Sequence, residues 1–179
     1  SLGYKVTGGD LSENSILHAK QFENESLNFE VWDMRDPIDH TYDAIFNLFT
    51  SFGYFEDDRE DIKVLSSIKK GLNKDGVFVF DFLNATKLEA TLVKEETKIV
   101  EGITFNIHRE IKEGFILKHI SFTAENEEHS YTERVKYLDL PKMISYLNKV
   151  GFQLTAIFGD YNLTTFEKNS SDRLILVAK

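Results

Sequence analysis

The first half of the chain alternates short apolar runs with segments whose apolar residues recur at helical spacing. Residues 4–7, YKVT, are β-prone, and Gly8-Gly9-Asp10 follow them. Ser12 is placed to cap a helix that carries Ile16, Leu17 and Ala19 and ends near Glu23-Asn24. Residues 28–34, NFEVWDM, predict a second strand that ends in the acid Asp33, and Pro37 stops regular structure after it. Residues 42–49, YDAIFNLF, form a nearly continuous apolar run, the pattern of a strand buried on both faces. The loop 50–55, TSFGYF, is too aromatic for an ordinary solvated turn, so Phe49, Phe52, Tyr54 and Phe55 belong either to the core or to a pocket wall. Asp57 or Asp58 caps the next helix, Ile62, Leu65 and Ile68 share its inner face, and Lys69, Lys70 and Gly71 close it. Asp75-Gly76 then turns into a strand over 77–82, VFVFDF, with Asp81 near its end. Strand–helix–strand, twice over, predicts an α/β fold built on a doubly wound, mostly parallel sheet.

From about Thr97 the period changes to two. Ile99, Ile103, Phe105, Ile107 and Ile111 are interleaved with polar residues, and Lys112-Glu113-Gly114 suits a hairpin turn. Strands over 115–123 and 131–138 follow, separated by the charged loop 125–128, so an antiparallel β insertion of three or four strands is expected. Pro141 opens a helix with Met143, Tyr146, Leu147 and Val150 on one face and Gly151 at its end. Strands over 152–158 and 172–178 finish the chain. The expected organisation is a core over 1–92, an insertion over 93–139 that acts as a lid or dimerisation element, and a return to the core over 140–179.

Composition narrows the partners. With 21 Lys+Arg against 30 Asp+Glu, the net charge of −9 argues against a general binder of nucleic acid or anionic membrane. Zero cysteines exclude disulfides and thiolate metal sites and suit a reducing, cytoplasmic setting. No apolar run approaches the roughly 18 residues of a membrane span.

Chemistry enters at the strand ends. In an open α/β sheet, ligands bind beyond the carboxyl ends of the strands. Asp10 stands at such an end, and a carboxylate there can accept both hydroxyl hydrogens of a ribose. The same residue also suits a turn or cap.

The ordered segments GGDLSENSILHAK, VWDMRD, YDAIFNLFTSFGYF, LNKDGVFVFDFLN, GFQL…GDY and RLILVAK resemble the class I S-adenosylmethionine-dependent methyltransferases, in particular the small-molecule members with an antiparallel insertion. The resemblance covers most of the chain and implies a Rossmann-like sheet whose last strand is antiparallel. It implies that Asp10 binds the ribose hydroxyls, that Leu11 packs on adenine, and that Asp33 accepts the adenine amino group while the Met34 N–H meets a ring nitrogen. It places Asn47 and Leu48 near the methionine moiety of S-adenosylmethionine. Asp81, Asn84 and Tyr54 are candidates for binding a small-molecule substrate. The glycine-rich first motif is absent. The sheet's central strand is therefore expected to precede the strand that ends at Asp10, and without it that strand and the run 44–48 would present unpaired edges.

The chemistry asks little of side chains, because positioning of well-oriented reactants can supply on the order of 7–11 kcal/mol. If the acceptor must lose a proton, His119, Glu133 and Tyr161 are the candidates for a base, with His108 and His129 behind them. No histidine–carboxylate spacing suits a metal, so none is expected. Two other readings stay open: a nicotinamide-dependent oxidoreductase, which a ribose acid fits equally, and a non-catalytic Rossmann-like binding module. A homodimer through the insertion is a further expectation.

Overall fold

A computed structural model describes residues 2–179. The elements run β1 (Val6–Asp10), α1 (Glu13–Ala19), a 3₁₀ turn (Lys20–Phe22), β2 (Leu27–Val31), β3 (Tyr42–Asn47), α2 (Asp58–Lys70), β4 (Leu72–Leu83) and α3 (Ala85–Ala90). They continue as β5 (Glu95–Val100), β6 (Ile103–Lys112), β7 (Phe115–Ala124), β8 (Glu127–Lys136), α4 (Leu140–Lys149), β9 (Leu154–Phe158) and β10 (Arg173–Ala178).

Local chemistry sets most of these boundaries. Ser12 Oγ caps α1 by accepting from the Ser15 N–H, Asp57 caps α2 and Asp139 caps α4. Acids fill the first turn of α2, lysines its last, and Gly71 follows. The short helix α3 has no counterpart in the sequence reading. Its signal is Asn84, whose side-chain oxygen accepts from the Lys87 N–H as an N-cap.

The strands form three sheets: β1-β2, β3-β4-β10-β9 and β5-β6-β7-β8. β1 pairs parallel to β2, and β3 parallel to β4, while β10 runs antiparallel to both β4 and β9. A parallel α/β arrangement with an antiparallel last strand is present, but the single sheet expected from the sequence is divided. The division falls between β1 and β3. Each has one neighbour, so each keeps an outer edge with no strand on it among the described residues.

The division also corrects the reading of β3 as buried on both faces. Phe46 is 60% exposed, and Val6 and Val31 are also open. In β4, Phe78, Phe80 and Phe82 are buried on one face, whereas Val77 and Val79 on the other are only half-buried. The buried face packs into a core with Val64, Leu65 and Ile68 of α2, Met143, Tyr146 and Leu147 of α4, and Leu174 and Leu176 of β10. Phe52, from the aromatic loop, stands edge-on to Phe80 at 4.8 Å and is wholly buried.

The insertion is an antiparallel meander of four strands. Glu113-Gly114 and Glu125-Asn126 turn it with positive φ. Its last strand leads directly into the core through Val135 and Leu138.

Candidate functional site

Gly8 and Gly9 lie in extended β1, and the reason for them is close approach. A Cβ on Gly8 would stand 2.8 Å from the Phe29 ring, and one on Gly9 3.2 Å from Trp32. The parallel ladder then runs out at Asp10, whose carbonyl accepts from the Trp32 N–H at 3.0 Å. Asp10 is exposed, and its Oδ1 accepts from the Ser12 N–H at 2.8 Å, which fixes the carboxylate at the start of α1. Leu11 beside it is 67% exposed.

Asp33 lies in the turn after β2, held by its own neighbour. Arg35 Nε reaches Asp33 Oδ1 at 3.0 Å, Arg35 Nη2 reaches Oδ2 at 2.5 Å, and the Arg35 N–H also donates to Oδ1 at 2.9 Å. The Arg35 side chain, then its backbone N–H, hold the Asp33 carboxyl down to about 2. The same guanidinium lies 4.8 Å over the Phe55 ring and meets Glu60 at 3.3 Å, so it fastens this turn to the aromatic loop and to α2. Met34 packs against the core.

β3 ends at Asn47. Its Nδ2 donates to the Ser51 carbonyl at 2.9 Å, while its buried Oδ1 has no partner among the described residues. Phe49 and Thr50 follow with φ of 58° and 67°, a left-handed pair without glycine. Leu48, Phe49 and Tyr54 remain exposed, whereas Phe52 is core and Phe55 half-buried beneath Arg35. Tyr54 donates to the Thr50 carbonyl at 3.1 Å, and burial raises its phenol, with smaller contributions from Glu133 and Asp10. Tyr54 therefore feels both the end of β1 and the insertion.

Asp81 is wholly buried. Its Oδ2 accepts from the Phe49 N–H at 2.7 Å and from Tyr161 Oη at 3.0 Å, and its Oδ1 accepts from Arg173 Nε at 2.7 Å. Asn84 is 4% exposed, and its Nδ2 donates to the carbonyls of Lys168 and Ser171. Both residues, expected to meet substrate, have protein partners.

The base candidates separate. His119 stands in a cross-strand row of Glu95, His108, His119 and Thr132, its Nδ1 2.9 Å from Thr132 Oγ1 and its ring stacked on His108 at 5.8 Å. None of these partners belongs to the strand-end cluster. His129 stacks on Phe122. Glu133 accepts from Lys118 at 2.9 Å. Tyr161 stands at the cluster itself, and burial and then Asp81 raise its phenol.

The sequence reading gave no role to Arg173 or Thr50. Arg173 had a signal, since an arginine opening the apolar run RLILVA needs a buried anion as partner. Thr50 had none. Among the described residues no group of three or more His, Asp or Glu side chains is arranged to hold a metal ion. No helix among them is long and apolar enough to cross a membrane.

This chain has the α/β fold of S-adenosylmethionine-dependent methyltransferases. Its structure is similar to that of a methyltransferase of this kind from Clostridium acetobutylicum ATCC 824, with a TM-score of 0.85 and 18% identity over 98% of this chain and 74% of the other. It is also similar to the CcbJ methyltransferase from Streptomyces caelestis, with a TM-score of 0.82 and 17% identity over 99% and 75%. CalS10, an amino pentose methyltransferase from Micromonospora echinaspora solved with S-adenosylmethionine bound, gives 0.70 at 16% identity over 97% and 73%. In sequence, the chain is 24% identical over 190 residues to YqeM of Bacillus subtilis (strain 168), which carries a provisional methyltransferase name, covering 99% of this chain and 76% of that one. No protein-family model matches the chain.

Proposed function

We propose that this chain acts as an S-adenosylmethionine-dependent methyltransferase on a small molecule, by in-line transfer of the methyl group. The observation that carries the reading is the grouping at the carboxyl ends of β1 and β3. An exposed, oriented Asp10, exposed Leu11 and Leu48, the orphan acceptor Asn47 Oδ1, and Tyr54 sensing Asp10 all lie there.

These groups fit the cofactor. Asp10 Oδ1 is steadied by Ser12, and the carboxylate retains acceptor capacity for a pair of hydroxyls. Leu11 and Leu48 offer apolar surface to a flat base and an alkyl chain, and the buried Asn47 Oδ1 would be completed by a donor such as an ammonium. Asp33, kept ionised by Arg35, would accept from an amino group. S-adenosylmethionine supplies, when bound, a sulfonium methyl that is already a good electrophile. The chain's part is to hold an acceptor in line and to keep water out. Tyr54 and Tyr161, both raised, stay protonated near neutral pH and act as donors. Glu133 is the insertion's carboxylate that Tyr54 senses, and it would take a proton from an acceptor that must lose one.

The domain reading follows the same lines: a core over 1–92 and 140–179, with 93–139 as an insertion that covers the acceptor or pairs two copies. A further parallel strand, lying between the outer edges of β1 and β3, would join them into one doubly wound sheet and cover Phe46.

Calorimetry with S-adenosylhomocysteine on the full-length protein tests the reading. Asp10→Ala should weaken binding by about 1.5–3 kcal/mol, the worth of charge-assisted hydrogen bonds. Asp33→Ala should also weaken it, and NAD should compete poorly. An unchanged affinity in Asp10→Ala would remove the core of the proposal.

A further inference from the structure

The end of β4 carries a buried anion whose partners all converge on one turn. Asp81 binds the backbone of that turn twice. Its side chain accepts from the Phe49 N–H at 2.7 Å, and its carbonyl accepts from the Thr50 N–H at 3.2 Å. Arg173 on β10 spans the pair, with Nε on Asp81 Oδ1 at 2.7 Å and Nη2 on Thr50 Oγ1 at 3.2 Å. Thr50 Oγ1 also accepts from the Leu83 N–H at 3.1 Å. Tyr161 reaches Asp81 Oδ2 from beyond β9, and its ring meets Phe49 edge-on at 6.3 Å.

Phe49 and Thr50 both hold positive φ, at 58° and 67°. For a bulky and a β-branched residue this conformation is strained, and it persists only where the surroundings over-determine it. Four hydrogen bonds from β4 and β10 do so here, and Asn47 closes the turn from the other side through Ser51. The consequence is that the Phe49 side chain is thrown outward, 74% exposed, at the end of β3 next to Tyr161.

We infer that Asp81, with Arg173 and Tyr161, is a positioning residue. It clamps the left-handed turn Phe49-Thr50 in the shape the cofactor and acceptor require at the end of β3. The inference rests on the methyltransferase reading above. Asp81 itself touches no ligand in this account, since both oxygens serve the protein. Its carbonyl and Oδ2 both hold the turn that leaves β3, and Oδ1 takes Arg173, which itself reaches that turn through Thr50.

The test is amide hydrogen exchange on the full-length protein, together with binding of S-adenosylhomocysteine. In Asp81→Asn, exchange at Phe49 and Thr50 should rise by about tenfold or more, the worth of one charge-assisted hydrogen bond, with affinity falling by a similar factor. The amides of Phe80 and Leu176, inside the β4–β10 ladder, should stay as protected as in the parent. Unchanged exchange at Phe49 and Thr50 would overturn the inference. So would equal loosening of the β4–β10 ladder, which marks a merely structural role. So would faster exchange with unchanged affinity, which would detach the turn from the cofactor. If Asp81→Asn does not fold, Tyr161→Phe decides at the same amides, where a smaller rise is expected and no rise refutes. A parent protein that binds no S-adenosylhomocysteine would sink the methyltransferase reading and, with it, the functional half of the inference. The exchange result would still judge the clamp itself.

Discussion

Lys136 Nζ lies 2.5 Å from Asp61 Oδ2, with side chains 6% and 0% exposed, and this pair ties the last strand of the insertion to α2. Asp58 accepts from Lys136 at 2.9 Å and from Lys142 at 2.6 Å, so β8, α2 and α4 meet in one ionic cluster. Burial raises the Asp61 carboxyl. Burial also works against the Lys136 charge, but the hydrogen bonds it donates to Asp61 and Asp58 outweigh this and raise the ammonium. Removing one partner leaves the other charge uncompensated in the interior. Lys136→Met should lower the unfolding free energy by about 3–5 kcal/mol, and adding Asp61→Leu should restore much of the loss. Denaturant midpoints read both effects, and an unshifted midpoint in the single variant contradicts the account.

Asp33 gives a pH prediction. Its folded carboxyl sits at about 2 against an ordinary 3.8, because the Arg35 side chain and backbone stabilise the ionised form. A depressed carboxylate contributes stability that is present above its unfolded value and lost as the pH falls through the folded one. The contribution therefore holds above about pH 4 and disappears towards pH 2. In Arg35→Ala, the Asp33 titration followed by carboxyl NMR should move up towards 3.8, stability above about pH 4 should fall, and the further loss between about pH 4 and pH 2 should shrink. An Asp33 midpoint unmoved by the substitution would show that Arg35 is not its main partner.

Much of this was legible in the chain, for reasons that differ by residue. Gly71, Pro141 and the acids before α2 act within a few residues of themselves, so their caps and stops follow from spacing. Asp10 was legible as a strand-end acid for the same reason. Phe49 and Thr50 were not, because their left-handed φ comes from Asp81 and Arg173, distant in sequence, and nothing local favours it. Asp81 and Asn84 looked like substrate ligands because polar residues at a strand end usually face a crevice, yet each found partners more than 30 residues away. The half-exposed β3 was hidden for a related reason. An apolar run reports what a strand is suited to bury, and Phe46 has no strand beside its outer edge among the described residues.

The insertion is expected to serve the acceptor rather than the cofactor. Its Glu133, paired with Lys118, is felt at Tyr54, while Glu96 pairs with Lys98 and Arg109 inside the insertion. Replacing residues 95–134 by a short linker keeps Lys136, Leu138 and the Asp139 cap of α4. S-adenosylhomocysteine binding should then survive, while methyl transfer in a screen of small amines and alcohols, or the assembly state in sedimentation, should change. Normal turnover with unchanged assembly would make the insertion ornamental.

The sharpest prediction concerns the outer edges of β1 and β3. Both are parallel strands with a single neighbour among the described residues, Val6 and Phe46 stand open on them, and Leu48 is open just past the end of β3. Parallel strands are ordinarily covered on both faces, and an open apolar edge invites association. We propose that a further strand, from this polypeptide or from another chain, pairs between them and brings a loop that lets the methionine part of the cofactor approach. Protein limited to these 179 residues should then bind S-adenosylmethionine weakly and self-associate in sedimentation. In a longer form, the outward amides of β1 and β3 should become protected from exchange, and the affinity should rise. A stable 20.7 kDa monomer that binds the cofactor tightly and shields those edges unaided would show that no strand is needed there.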